Sequence, residues 1–217
     1  MGSIGVWFRK SAFVRVVAGF ALAALVLATA GWLVTGSYRE TPAAFDASIR
    51  TAMRQMQSPM WTVFFLTITK LGSTVYLAII GVVVGVVLII LRWFRSLLIF
   101  IVVMAGQGIL DRGCKWIIAR PRPSSLITYR AVESFSFPSG HAIASLCLYG
   151  TIAWIVASRL ENSAAKAGTG IFAAVLIFLI GMSRVYIGVH YPTDVMAGFL
   201  AAAIWTAAVL SIDKKTL

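Results

Sequence analysis

Both histidines of this 217-residue chain sit in short runs rich in glycine, proline and charge. The first run reads Phe137-Pro138-Ser139-Gly140-His141 and the second His190-Tyr191-Pro192-Thr193-Asp194. Cations precede each of them: Lys115 and Arg122 before the first, Arg184 before the second. An imidazole beside a carboxylate serves as a nucleophile or as a proton donor and acceptor. Lysine offers a compact charge and arginine a planar fork, and both suit the oxygens of a transferring phosphoryl group. Pro138-Ser139-Gly140 stands just before a long apolar stretch and so marks a helix start. There Ser139 can cap, Gly140 lets a ligand reach the backbone, and free N–H groups and the helix dipole favour an anion. Taken alone, that run is an ordinary turn opening a helix. Pro192 in a first helical turn puts His190 just outside a helix and Asp194 inside it. Asp194 then either complements the helix dipole or accepts the proton of one imidazole nitrogen, leaving the other nucleophilic.

The elements that must position these groups follow from composition. The chain is 60% hydrophobic and 12% charged, with a mean hydropathy of +0.92. A soluble domain is roughly 45–50% apolar and about 25% charged. A soluble enzyme, a disordered chain and a disulfide scaffold are excluded. Crossing a bilayer takes ~20 mostly apolar residues, and about six stretches qualify: 16–38, 71–91, 96–110 extending towards Lys115, 134–158 with its dense part from Ala142, 167–183, and 195–212. Residues 45–69, with Trp61, Phe64 and Phe65, read as a short interfacial helix running into the second span. The apolar runs are continuous, not alternating, which excludes a β-barrel. The expectation is an all-α polytopic membrane helix bundle, a single membrane-embedded domain over residues 1–217.

Arg9, Lys10 and Arg15, an apolar run and Ala28-Thr29-Ala30 resemble a signal peptide with its cleavage site. Because the apolar run continues through Trp32, Leu33 and Val34, an uncleaved first span is expected. Cys114 and Cys147 form no ligand or disulfide pattern. Glycines within the spans (Gly19, Gly31, Gly81, Gly85, Gly181, Gly198) suit close helix packing.

Loops after the third and fifth spans open on the same side of a membrane. Lys115, Arg122, Ser139, His141, Arg184, His190 and Asp194 can therefore share one pocket. Asp111 stands one helical turn before Lys115 and is expected to pair with it. Arg120 reads as a membrane-surface anchor, and Tyr186 and Tyr191 as interfacial tyrosines.

Together the three stretches resemble the signature of the type-2 phosphatidic-acid phosphatase and vanadium haloperoxidase superfamily: K-x6-R-P, then P-S-G-H, then S-R-x5-H-x3-D. Lys115 with Arg122-Pro123, Pro138 to His141, and Ser183-Arg184 with His190 and Asp194 match it in order. The motifs lie within residues 115–194, and the span layout resembles the integral-membrane lipid phosphatases of that family. The resemblance implies an enzyme with no cofactor and no metal site. His190 would attack phosphorus and form a phosphohistidine, and Asp194 would orient it. His141 would protonate the leaving oxygen and then help activate water. Lys115, Arg122 and Arg184 would hold the phosphoryl oxygens, with Ser139 and the Gly140 N–H assisting.

The implied partners are the bilayer and a lipid phosphate: phosphatidic acid, phosphatidylglycerol phosphate or a polyprenyl diphosphate. A lipid phosphotransferase and a non-catalytic lipid-phosphate binder or transporter are the alternative readings. Six spans argue against the soluble haloperoxidases. The formal net charge of +12 reads as orientation and head-group charge. Nucleic acid is not an expected partner, since no long Lys/Arg run or basic polar face exists. Arg9, Lys10, Arg15, Arg92, Arg95, Arg159, Lys166, Lys214 and Lys215 fall on the face opposite the motifs. By the positive-inside tendency, this puts the site on the non-cytoplasmic face of a cell membrane. Arg39, Arg50, Arg54 and Lys70 lie on the motif side and weigh the other way.

Overall fold

The computed structural model describes residues 2–37, 39–127 and 134–212, with side chains from residue 12 onward, and these residues are helical or irregular with no strand among them. In order they form α1 (Gly2–Thr35), α2 (Glu40–Gln55), α3 (Pro59–Leu71), α4 (Thr74–Ile90) and α5 (Phe94–Ile118). Then α6 (Gly140–Ser145), a single π turn (Leu146–Gly150) and α7 (Thr151–Ala157) make one continuous rod. Two long helices, α8 (Ser163–Ile187) and α9 (Pro192–Leu210), complete the chain.

Five segments are long and apolar enough to cross a membrane: Ala12–Thr35, Phe94–Ile118, Gly140–Ala157, Ser163–Ile187 and Pro192–Leu210. The pair α3–α4, bent by 47°, supplies a sixth when taken as one broken span. The protein is thus a multi-pass membrane helix bundle. Large apolar side chains on its outside, such as Val82, Ile90, Phe94, Leu98 and Phe172, are those a bilayer covers. The 45–69 stretch divides into α2 and α3. Ser58 caps α3 by accepting from Trp61 N–H, and Pro59 opens the new helix, so the first helix ends before them.

Small residues let the helices touch. Gly19 of α1 lies against Ala208 of α9, and Gly106 of α5 against the ring of Trp205. In lipid, such close backbone approach is what draws helices together, since burying apolar surface gains little there. The Trp205 indole N–H also donates to Val103 O at 2.9 Å. Ala23, Leu27, Val103, Ala201 and Ala202 are fully buried in the same seam.

Chain terminators aim the loops. Ala119 takes a left-handed conformation at φ 50° and ends α5, a cost of about 1–2 kcal/mol for a residue with a Cβ. Pro121 and Pro123 follow and cannot resume the helix. Gly188 closes α8 at φ +86°, and a Cβ there would strike Leu126. The C-termini of α5 and α8 and the N-termini of α6 and α9 therefore meet at one end of the bundle. Arg15 and Arg95 donate to the carbonyls of Ser211 and Ile212 at the other end of α9.

Candidate active site

Lys115, Arg122, Gly140, His141, Arg184 and His190 line a single cavity of about 1000 Å³. Four separate segments supply them: the end of α5, the loop after it, the start of α6, and the end of α8 with the turn beyond. Of the expected site residues, Ser139 and Asp194 stand behind the wall. Both are fully buried, and Ser139 N–H donates to Asp194 O at 3.1 Å. Ser139 occupies the N-cap position, yet its hydroxyl makes no capping bond and has no hydrogen-bond partner.

His190 is 2% exposed and held from both sides. Its Nε2 lies 3.0 Å from Arg122 Nη1. A guanidinium only donates, so Nε2 carries a lone pair and the ring proton resides on Nδ1. Nδ1 faces Asp194 Oδ2 at 3.5 Å, within ion-pair reach but beyond an aligned hydrogen bond. Oδ2 is already engaged: it accepts from Tyr191 N–H at 2.9 Å and, closely, from the Ser136 hydroxyl. Burial pushes the imidazole pKa down to about 4, with Arg184 and Arg122 acting the same way and Asp194 opposing them. The ring is neutral at pH 7, the form a nucleophile needs.

The cations are poised differently. Arg122 donates through Nε to Ser134 O at 2.6 Å and through Nη1 to Val189 O at 2.7 Å. Burial and the neighbouring Arg184 lower its pKa to about 10, so it stays charged. Lys115 is paired with Asp111 as the i, i+4 spacing predicts. A Cβ on Gly140 would lie 3.2 Å from Lys115 Nζ, so the glycine keeps the helix start open beside that charge. Arg184 is buried, and its Nη1 donates to Thr69 Oγ1 at 2.7 Å. His141 packs against Gly72 at the α3–α4 bend.

Two site residues are not evident from the sequence pattern. Arg120 is no surface anchor: it is 7% exposed and donates to Asp194 Oδ1 at 2.6 Å and to Asp46 Oδ2 at 2.8 Å. Its guanidinium lies 3.8 Å from the centroid of the Tyr191 ring. Asp46 of α2 is 1% exposed and also accepts from Thr193 N–H at 3.0 Å and Thr193 Oγ1 at 2.8 Å. Residues two apart on an extended chain share a face, so the Arg-Pro-Arg-Pro run gave no sign that Arg120 and Arg122 turn to different partners. Tyr186 is likewise interior, its hydroxyl 2.9 Å from Thr62 Oγ1 and its ring against Phe65. Among the described residues no three His, Cys, Asp or Glu side chains gather as metal ligands.

Residues 96–216, which hold all of these motifs, match the family model of the PAP2 superfamily. The chain belongs to the PAP2 superfamily. Its place there is the membrane lipid phosphatase branch. Phosphatidylglycerophosphatase B of Bacillus subtilis (strain 168) is 32% identical over 171 residues, 78% of this chain and 84% of that protein. The crystal structure of a transmembrane PAP2 type phosphatidylglycerolphosphate phosphatase from Bacillus subtilis superposes with a TM-score of 0.77 at 29% identity. The match covers 93% of this PAP2 chain and 96% of the other. An undecaprenyl-diphosphatase of Sulfolobus acidocaldarius is 31% identical over 97 residues, 42% of this chain and 43% of its own length.

Proposed function

We propose that this membrane lipid phosphatase hydrolyses the terminal phosphate of a lipid monoester or diphosphate through a phosphohistidine on His190. Phosphatidic acid, phosphatidylglycerol phosphate and polyprenyl diphosphates are the candidate substrates. The observation that carries the reading is the state of His190: neutral, buried, its Nε2 lone pair on the wall of a cationic cavity and its Nδ1 towards Asp194. The helices act as one membrane-embedded domain whose reacting groups lie within residues 115–194.

Binding begins with charge. Lys115, Arg122 and Arg184 neutralise the phosphoryl oxygens, the Gly140 backbone admits them to the helix start, and Ser139 supports that turn. Arg122 passes from His190 Nε2 to the substrate oxygens, which frees the nucleophile. Nε2 then bonds to phosphorus as the bond from phosphorus to the lipid oxygen breaks, and His141 gives that oxygen a proton. Asp194 stabilises the cationic ring that forms. In the second step a water oxygen bonds to phosphorus and the P–N bond breaks. The proton from water returns to His141, and inorganic phosphate leaves. The same cavity continues along α4 and α5 past Tyr76, Val82, Phe100 and Met104, an apolar course suited to a lipid tail.

The site faces the non-cytoplasmic side. Supporting this, Arg15, Arg92, Arg95, Arg159 and Lys166 gather towards the opposite end, with Arg159 stacked on Trp93 at 4.3 Å. The experiment is phosphate release by purified protein in micelles containing a chelator, with His190→Ala beside it. Release that requires His190, with acid-labile label on the protein in a quenched turnover, is expected. Undiminished release by folded His190→Ala would overturn the assignment.

A further inference from the structure

We infer that Arg112 forms a second anion subsite, so that the enzyme favours lipids carrying a second phosphate on the leaving-group side. The inference rests on the reading of His190 given above. Arg112 is exposed, lines the same cavity as His190 and Arg122, and has no hydrogen-bond or ion-pair partner among the described residues. The nearby cations are already engaged. Lys115 is held by Asp111, Arg122 by Ser134 and Val189, and Arg184 by Thr69. An arginine at a helix end in lipid ordinarily reaches outward for head groups. Arg112 instead contributes to the wall of the cavity that holds the nucleophile.

Its place along α5 sets what it meets. At a rise of about 1.5 Å per residue, Arg112 stands roughly 4.5 Å along the axis from Lys115, towards the tail course marked by Met104 and Phe100. Between them lies Gly108, where a Cβ would meet nothing within 4 Å, so the cavity is open one turn below Arg112. A lipid with its terminal phosphate at His190 and its tail beside Phe100 must pass Arg112. In phosphatidic acid the terminal phosphate is the only one. In a polyprenyl diphosphate or phosphatidylglycerol phosphate, the group next in line is a second phosphate. On transfer, the bond from the terminal phosphorus to the bridging or glycerol oxygen breaks, and the leaving lipid keeps that second phosphate. Arg112 offers it a planar fork, and a charge-assisted pair to phosphate oxygens is stronger than a neutral hydrogen bond.

The test is kcat/KM on three lipids in the same micelles: phosphatidic acid, phosphatidylglycerol phosphate and a polyprenyl diphosphate. Wild type, Arg112→Ala, Arg112→Lys and His190→Ala are compared. For Arg112→Ala, the ratio of kcat/KM for at least one two-phosphate lipid to that for phosphatidic acid should fall by about tenfold or more, with Arg112→Lys intermediate. Which two-phosphate lipid falls identifies the source of the second phosphate. An equal change on all three lipids, or no change, overturns the subsite. Both results leave the His190 reading standing, because that reading fails only if His190→Ala remains active. Because Arg112 is exposed, its variants should fold as the wild type does, and a thermal unfolding scan of each checks it.

Discussion

Arg120 Nη1 lies 2.6 Å from Asp194 Oδ1, while its other terminal nitrogen lies 2.8 Å from Asp46 Oδ2. One guanidinium therefore ties the carboxylate behind His190 to a carboxylate on α2, and Thr193 closes the loop by binding the same Asp46. Asp194 is fixed on both oxygens by the protein itself. A lysine has no fork and cannot bridge two carboxylates in this geometry.

Breaking that bridge leaves buried charge without a partner. Arg120→Ala should cost about 3–5 kcal/mol of stability. Arg120→Lys should fold better than Arg120→Ala but lose turnover, because Asp194 is no longer held against the His190 ring. Asp46→Asn keeps the shape and one acceptor but exchanges the other oxygen for an NH2 donor, and it should lose less than Arg120→Ala. Thermal unfolding in micelles together with kcat/KM reads each variant. Full activity and stability in Arg120→Ala would show the bridge to be idle.

Stability should also depend on His190 through pH. Its folded pKa is about 4, against an ordinary value of 6.5. Between those values the unfolded chain takes up a proton that the folded chain refuses. Stability therefore falls as pH drops from about 6.5 to about 4, by roughly 3 kcal/mol in total at 1.36 kcal/mol per unit, and is flat in this term above 6.5. His190→Asn removes the titrating ring, so its unfolding midpoint should lack that part of the acid slope. Identical slopes in both proteins would place the titration elsewhere.

The spacing of chemistry-bearing residues made the cavity legible, since topology alone brings the ends of α5 and α8 together. Lys115, Arg122, His141, Arg184 and His190 meet as their positions predict. The supports were hidden for physical reasons. Asp46 sits on an amphipathic helix without any motif, and only the docked fold reveals that its carboxylate faces inward. Arg120 resembled a surface cation because isolated charges near membrane ends usually are; its burial depends on two carboxylates distant in sequence. The interfacial stretch was visible as apolar and aromatic. Its division at Ser58-Pro59 and its 47° bend beyond Leu71 arise from a cap, a proline and close packing at Gly72.

Gly72 offers a direct handle on His141. A Cβ at this position would lie 2.8 Å from His141 Cδ2 and would also strike the Ile180 side chain. Gly72→Ala must push the imidazole or open the α3–α4 bend. With His141 as the proposed acid, its displacement should lower kcat by about 10²-fold while substrate affinity changes less. Steady-state kinetics on a substrate with a poor leaving group read the effect. A normal kcat would mean that His141 yields without leaving its working position.

Arg122 has two tasks that one substitution separates. It donates to His190 Nε2 at 3.0 Å, so it covers the atom proposed to attack phosphorus. In the mechanism proposed above, the same fork moves to the phosphoryl oxygens of the substrate. Arg122→Lys keeps the charge but loses the fork, and its single ammonium cannot serve Ser134, Val189 and the ligand together. Inhibition by inorganic phosphate, which reports the cation pocket without chemistry, should weaken by about tenfold in Arg122→Lys. If phosphate inhibits both proteins equally, the pocket is built on Lys115 and Arg184, and Arg122 serves chiefly to guard His190.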